Sequence, residues 1–182
     1  GLTAGRDITG VNLFENVRKQ GALNLDGNSY AEVHDNASLD LTDAISLECW
    51  YYNDGAADKG LLGRYFSGKR SYLLYTTSNK IEFFTNTAST FKTGLSAGWH
   101  HIVGTYDKVN RKLYVNGALE DTDAYTTAIS TNDEPIEIGR YFGNAAGARS
   151  YTNQIAQPRI YNRALTAEEI QRNYSAGKNI YS

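Results

Sequence analysis

Residues 98–117 read GWHHIVGTYDKVNRKLYVNG, and their pattern decides the fold. From Trp99 to Tyr106 both alternating sets are apolar or aromatic. Trp99, His101, Val103 and Thr105 share one face, and Ile102 and Tyr106 share the other. A strand covered on both faces is central in a layered β-protein rather than at an edge. The polar run 107–110 predicts a turn, after which residues 111–115 alternate again, with Leu113 and Val115 on one face. Asn116-Gly117 follows. Both central residues of a type I′ turn need positive φ, which Asn and Gly adopt at least cost, so a hairpin is predicted with its returning strand over 118–123.

Working outward, residues 44–52 set Ile45, Leu47, Cys49 and Tyr51 against Ser46, Glu48, Trp50 and Tyr52, one apolar face and one polar-aromatic face. Residues 60–65, 71–76, 80–85 and 90–92 predict a four-stranded meander. Residues 22–25 and 30–33 read as a strand pair around a turn at 26–28. A long acidic, Thr-rich connection (121–133), a short strand (136–140), a Gly/Ala loop (141–149) and a closing strand (154–161) complete the β pattern. Residues 1–21 are weakly periodic, with a turn at 7–10 and a short strand or arm at 11–17. They read as an N-terminal arm, part of the sandwich or an assembly contact. One helix is predicted over 166–175, with Thr166 as N-cap, Glu169 closing a capping box, and Leu165, Ile170 and Tyr174 packing it down. Gly177 is expected to end it in the left-handed conformation. About a dozen strands with one short helix specify an all-β sandwich.

WHHIVGTYD followed by LYVNG resembles the signature of the laminin G-like, concanavalin A-like jelly-roll domains. Residues 22–33, ALNLDGNSYAEV, resemble that family's opening strand, DG turn and second strand. Residues 38–50, SLDLTDAISLECW, resemble its third strand, and 155–170, containing RIYNRALTAEEI, its closing strand and helix. The resemblance spans residues 21–174. It implies a two-sheet antiparallel jelly-roll sandwich over 22–182 with one short C-terminal helix, and says little about function, because one sandwich hosts many activities.

At 182 residues the chain fits one domain able to bury roughly 70% of its unfolded surface. Its single cysteine, Cys49, excludes an intrachain disulfide and reads as a small buried apolar residue. A net charge of −2 without a basic patch argues against a nucleic-acid partner. The apolar runs fall far short of the ~18 residues needed to cross a bilayer, so no membrane insertion is expected. No secretion signal is visible. The absence of Met and the glycine at position 1 imply a processed product, an excised domain or a tagged chain. Fourteen tyrosines suit a surface that recognises flat polar ligands or proteins.

The resembled superfamily includes glycoside hydrolases, which carry carboxylates in an E-x-D-x-x-E strand that sets acid and nucleophile about 5–5.5 Å apart. No such strand is present. Glu120, Asp121 and Asp123 lack the spaced third acid, and Glu48 and Glu82 stand singly on separate strands. No enzymatic activity is expected. His100 and His101, being adjacent in a strand, point to opposite faces and cannot share a metal; His34 is the only other histidine. In the resembled family the second histidine of the W-x-H pattern is structural, which assigns that role to His101. Many relatives bind calcium near the DG turn with an Asp on the closing strand. Here the Asp and Glu positions are Ala156 and Gln157, leaving Asp26 as the remaining carboxylate, so no cofactor and no calcium dependence is expected. The acids Asp121, Asp123, Asp133 and Glu134 read as a solvated loop.

The remaining local feature is an echo. Gly63-Arg64-Tyr65-Phe66 recurs as Gly139-Arg140-Tyr141-Phe142, each ending a strand and entering a Gly-containing loop, the second of which carries Asn144. Aromatic faces stack on sugar C–H patches, and Arg donates paired hydrogen bonds to hydroxyls or carboxylates. Arg64, Tyr65, Phe66, Arg140, Tyr141, Phe142 and Asn144 are therefore the candidate ligand-binding residues, forming one rim if the two strands run in the same direction. The structural alternative is that the aromatics cap the core and the arginines are solvated. The expected function is a non-catalytic recognition module for carbohydrate or a cell-surface ligand, lectin-like or adhesin-like, at an extracellular, cell-surface or virion-surface location. Two alternatives stand beside it. One is a structural domain of a larger exposed particle, such as a phage capsid decoration or tail protein, with other subunits as partners. The other is an accessory domain of a secreted enzyme.

Overall fold

A computed structural model describes residues 3–4, 21–56, 58–66, 68–77, 80–141 and 149–181. Its strands are β1 (Thr3–Ala4), β2 (Ala22–Asn24), β3 (Ala31–Val33), β4 (Ile45–Asn53), β5 (Lys59–Phe66), β6 (Lys69–Thr77) and β7 (Lys80–Thr85), followed by β8 (Ala88–Thr93), β9 (Gly98–Tyr106), β10 (Asn110–Val115), β11 (Ala118–Ala124), β12 (Ile136–Ile138) and β13 (Gln154–Tyr161). The helix α1 (Ala167–Tyr181) closes the chain. A seven-stranded sheet runs β1-β3-β12-β5-β6-β7-β8 and a six-stranded sheet runs β11-β10-β9-β4-β13-β2. Every pairing is antiparallel. This is a concanavalin A-like jelly roll.

β9 lies between β10 and β4, as its two apolar faces require. Ile102 and Tyr106 point into the sandwich with Ile45, Leu47, Cys49 and Tyr51 of β4, and meet Leu62, Tyr72, Leu74, Ile81 and Phe83 of the opposite sheet. The hairpin after β10 has Asn116 at φ 51° and Gly117 at φ 82°, both left-handed. At the turn before it, Asp107 Oδ1 accepts from the backbone N–H groups of Val109 and Asn110 at 2.9 and 2.6 Å. The meander β5–β8 forms as its alternation predicts.

Two expectations are corrected. β2 and β3 do not pair with each other: β2 joins β13 in the six-stranded sheet, and β3 joins β1 and β12 in the seven-stranded one. Asp26 Oδ1 accepts from Asn28 and Ser29 N–H at 2.9 and 2.7 Å, and this side-chain turn carries the chain across the sandwich instead of folding it back into a hairpin. The second correction is the helix. Its capping box forms, with Glu169 N–H donating to Thr166 Oγ1 at 3.3 Å and Thr166 N–H to Glu169 Oε2 at 3.0 Å. It does not stop at Gly177 but runs to Tyr181. Gly177 serves close approach: a Cβ there would lie 2.6 Å from the Trp50 indole nitrogen.

α1 covers the outer face of the six-stranded sheet, stacking Tyr174 and Tyr181 on Trp50 at ring separations of 5.8 and 5.1 Å. Beneath it Glu48 is sealed at 1% exposure. It accepts from His101 (2.8 Å), Arg159 (3.1 Å), Tyr161 (2.8 Å) and Asn173 (3.0 Å). Burial works against the Glu48 charge, but the donations from His101 and Tyr161 outweigh it and hold the carboxyl below its ordinary range. His101 is thus a structural partner of Glu48, and Ala156 packs with Trp50 and Tyr181. The residues expected to form an arm at 11–17 lie outside the described residues.

Candidate ligand-binding site

Gly63–Phe66 ends β5 and Gly139–Tyr141 follows β12, the antiparallel neighbour of β5, with Glu137 opposite Gly63 and Ile138 opposite Leu62. They leave those strands at opposite ends, which rules out the rim built from two loops at one end. Arg64 is also not at a surface. Its side chain is 1% exposed. It donates to the carbonyls of Glu134 at 2.8 Å and Leu39 at 3.4 Å, to Asp40 at 2.8 Å, and to Asp35. Burial opposes the Arg64 charge, but the Asp35 and Asp40 carboxylates overcome it and raise the guanidinium pKa. Arg64 therefore clamps the 35–40 segment to the sandwich.

Tyr65 and Tyr141 nevertheless meet, 5.6 Å apart and edge-to-face. Gly139 at φ 88° turns the chain out of β12, and the Arg140–Tyr141 backbone then passes over the outer face of β5 at Gly60. A Cβ on Gly60 would lie 2.4 Å from the Arg140 carbonyl carbon, so only glycine permits the crossing. Tyr141 then reaches back to Tyr65 and to Tyr75, while Phe84 meets Tyr65 at 5.1 Å. With Leu73 these rings form a second small core on the outer face of the seven-stranded sheet. At 8% and 5% exposure, Tyr65 and Tyr141 offer no open stacking platform, and burial pushes both phenols up. The Tyr141 hydroxyl is bonded to Asp58 and Arg149. Arg140 is paired with the buried Glu137 and lies over the Tyr30 ring at 3.2 Å. Phe66 is half-buried. Phe142 and Asn144 lie outside the described residues.

The carboxylates weighed for catalysis are dispersed. Glu82 accepts from the hydroxyls of Tyr75 (3.2 Å), Thr77 (2.6 Å) and Ser89 (2.7 Å). Glu120 pairs with Lys92, Asp121 accepts from the Phe91 N–H, and Asp123 pairs with the buried Arg111. The first two contacts join β11 to β8 across the side of the sandwich and the third holds β11 on β10; they also show that the acidic stretch is not simply a solvated loop. Among the described residues no three His, Cys, Asp or Glu side chains are grouped to hold a metal ion.

The open site lies beside the aromatic cluster. A groove of about 370 Å³ is lined by Gly68, Lys69, Arg70, Asn86, Thr87, Ser130 and Thr131. Three chain segments meet there: the turn into β6, the β7–β8 turn and the connection after β11. Asn86, at φ 53°, fixes their arrangement. Its Nδ2 donates to the Ala128 carbonyl at 2.9 Å and the Tyr125 hydroxyl at 3.2 Å, and its Oδ1 accepts from Ser130 N–H at 2.8 Å. The groove is thus bonded into shape without a ligand. Arg70 stands across from Tyr65 in the β5–β6 register, with its guanidinium 5.6 Å from the Tyr65 ring centre. Tyr65 and Phe66 were legible as candidates; the groove beside them was not, because its lining is gathered from residues more than sixty positions apart.

Comparison with known proteins agrees with this architecture. A search of curated protein sequences returned no match. Among solved structures, the ligand-binding domain of botulinum neurotoxin serotype D in complex with N-acetylneuraminic acid superposes with a TM-score of 0.69 at 16% identity, covering 97% of this chain and 46% of that one. The binding domain of Paraclostridial mosquitocidal protein 1 gives 0.67 at 16% identity over 98% of this chain and 46% of its own. The botulinum neurotoxin type G receptor-binding domain gives 0.67 at 17% identity over 97% and 46%. This chain therefore spans less than half the length of each, and at these identities the likeness is one of fold. Residues 25–171 match the laminin G-like model of the concanavalin A-like lectin/glucanases superfamily, and with the two-sheet jelly roll in hand the chain belongs to that family.

Proposed function

We propose that this chain is a non-catalytic recognition module that binds carbohydrate in the groove beside Arg70. The observation that carries the reading is the groove itself: open, about 370 Å³, lined by hydroxyls, an amide and two cations, and held in place by Asn86. That volume falls within the range of small-ligand sites. The dispersed carboxylates support binding without turnover, since glycoside hydrolysis needs two acids facing one bond. The solved neighbours, all described as binding domains, point the same way, and one of them holds a sugar acid. Such a module works outside the cell, where glycans are displayed. No helix of the described residues is long and apolar enough to cross a membrane.

A glycan array tests the reading. Binding to one or more glycans, weakened by Asn86→Ala through loss of the groove's shape, is the expected outcome; no binding to any glycan at high protein concentration would sink it. The same proposal holds that the fold needs no calcium. Thermal melts in EDTA and in millimolar Ca²⁺ should coincide, and a shift of several degrees would reveal an ion site.

A further inference from the structure

We infer that the groove selects acidic sugars and recognises them by a carboxylate docked on Arg70, an inference that rests on the carbohydrate reading above. Among the described residues, the groove lining includes two cations and no acid, on a chain whose net charge is −2. The two cations are not equivalent. Lys69 is committed to Glu134 at 2.6 Å, and Asp133 adds to the local negative field around it. Arg70 is exposed, and among the described residues no carboxylate lies within ion-pair distance of it. Its guanidinium carbon lies over the Tyr65 ring, 5.6 Å from the ring centre. A guanidinium laid on an aromatic ring keeps its paired N–H groups directed outward in a plane, and that fork matches the two oxygens of a carboxylate.

The surroundings suit the rest of a sugar. Thr87, Ser130 and Thr131 are exposed along the groove and present hydroxyls that both donate and accept. Asn86 is spent on holding the walls, so the site is formed before the ligand arrives and loses little entropy on binding. A neutral sugar can offer the Arg70 fork only hydroxyl oxygens, which accept more weakly than a carboxylate. An acidic one adds a charge-assisted bidentate pair, a margin of about tenfold in affinity.

Uronic acids and sialic acids share this carboxylate, so calorimetric titrations use both. Trigalacturonic acid is compared with its methyl ester, and 3′-sialyllactose with lactose, against the wild type, Arg70→Gln and Arg70→Lys. At least one acid should bind about tenfold more tightly than its neutral counterpart, and the acid that does so names the source. Arg70→Gln should erase that margin, bringing the acid down to the affinity of its neutral counterpart, while leaving the melting temperature unchanged. Arg70→Lys should retain part of it, because charge remains but the fork is lost. Equal binding of acid and neutral forms by the wild type would overturn the selectivity while leaving the carbohydrate reading intact. An absence of binding by all four sugars, together with a blank glycan array, would overturn both.

Discussion

Gly63-Arg64-Tyr65-Phe66, at the end of β5, and Gly139-Arg140-Tyr141-Phe142, after β12, share four letters, yet their first two residues do opposite work. Gly63 sits inside β5, opposite β6, where a Cβ would lie 2.4 Å from the Tyr72 carbonyl oxygen and 2.7 Å from Leu73 Cα. Gly139 turns the chain out of the sheet at φ 88°. Arg64 is sealed and bonded to two carboxylates and two carbonyls, whereas Arg140 is partly exposed and spread between Glu137 and Tyr30. Only the tyrosines converge, because the chain leaving β12 crosses β5 at Gly60 and brings Tyr141 back to Tyr65. A repeated tetrapeptide is thus no guide to a repeated role; the strand position and the partners brought from elsewhere decide.

The contrast can be broken by substitution. Gly63→Ala should have the largest effect, because the added methyl meets backbone on β6 that cannot rotate away. A loss of at least about 4 kcal/mol, or failure to fold, is expected. A melt close to wild type would mean that β5 and β6 are not in the register described. Arg64→Met comes next. It strands the Glu134 and Leu39 carbonyls and the Asp35 and Asp40 carboxylates, though both Asp side chains remain near 40% exposed and can rehydrate. A loss of about 3 kcal/mol follows, lowering Tm by roughly 6–12 °C for a chain of this size. Arg140→Met removes one partner of the buried Glu137 and should cost about 1–2 kcal/mol. If the two arginine variants melt together, the asymmetry between the segments is wrong. Arg70→Gln, on an exposed side chain, should move stability by less than about 0.5 kcal/mol, separating ligand binding from folding.

Much of the fold was legible because its signals are local. The Asn116-Gly117 turn, the two-faced strand at 98–106, the meander and the Thr166–Glu169 capping box are all set by residues within a few positions of one another. The misread elements depend on distant partners. The turn at Asp26 resembles a hairpin until β13 and β12 compete for its two strands. Gly177 resembles a helix stop until Trp50 fills the space a side chain would take. Arg64 resembles a surface cation until Asp35 and Asp40 arrive to neutralise it. The groove is the extreme case, since residues 68–70, 86–87 and 130–131 carry no shared pattern and meet only when β5–β8 and the connection after β11 have folded.

Backbone amide chemical-shift mapping of the isotope-labelled chain, titrated with the strongest glycan from the array, tests the central claim most directly. The account predicts that the largest shifts fall on Gly68, Lys69, Arg70, Thr87, Ser130 and Thr131, with the six-stranded sheet and α1 unmoved. Shifts centred on the helix-covered face, or on the Trp99–His100 end of β9 with the groove silent, would contradict it.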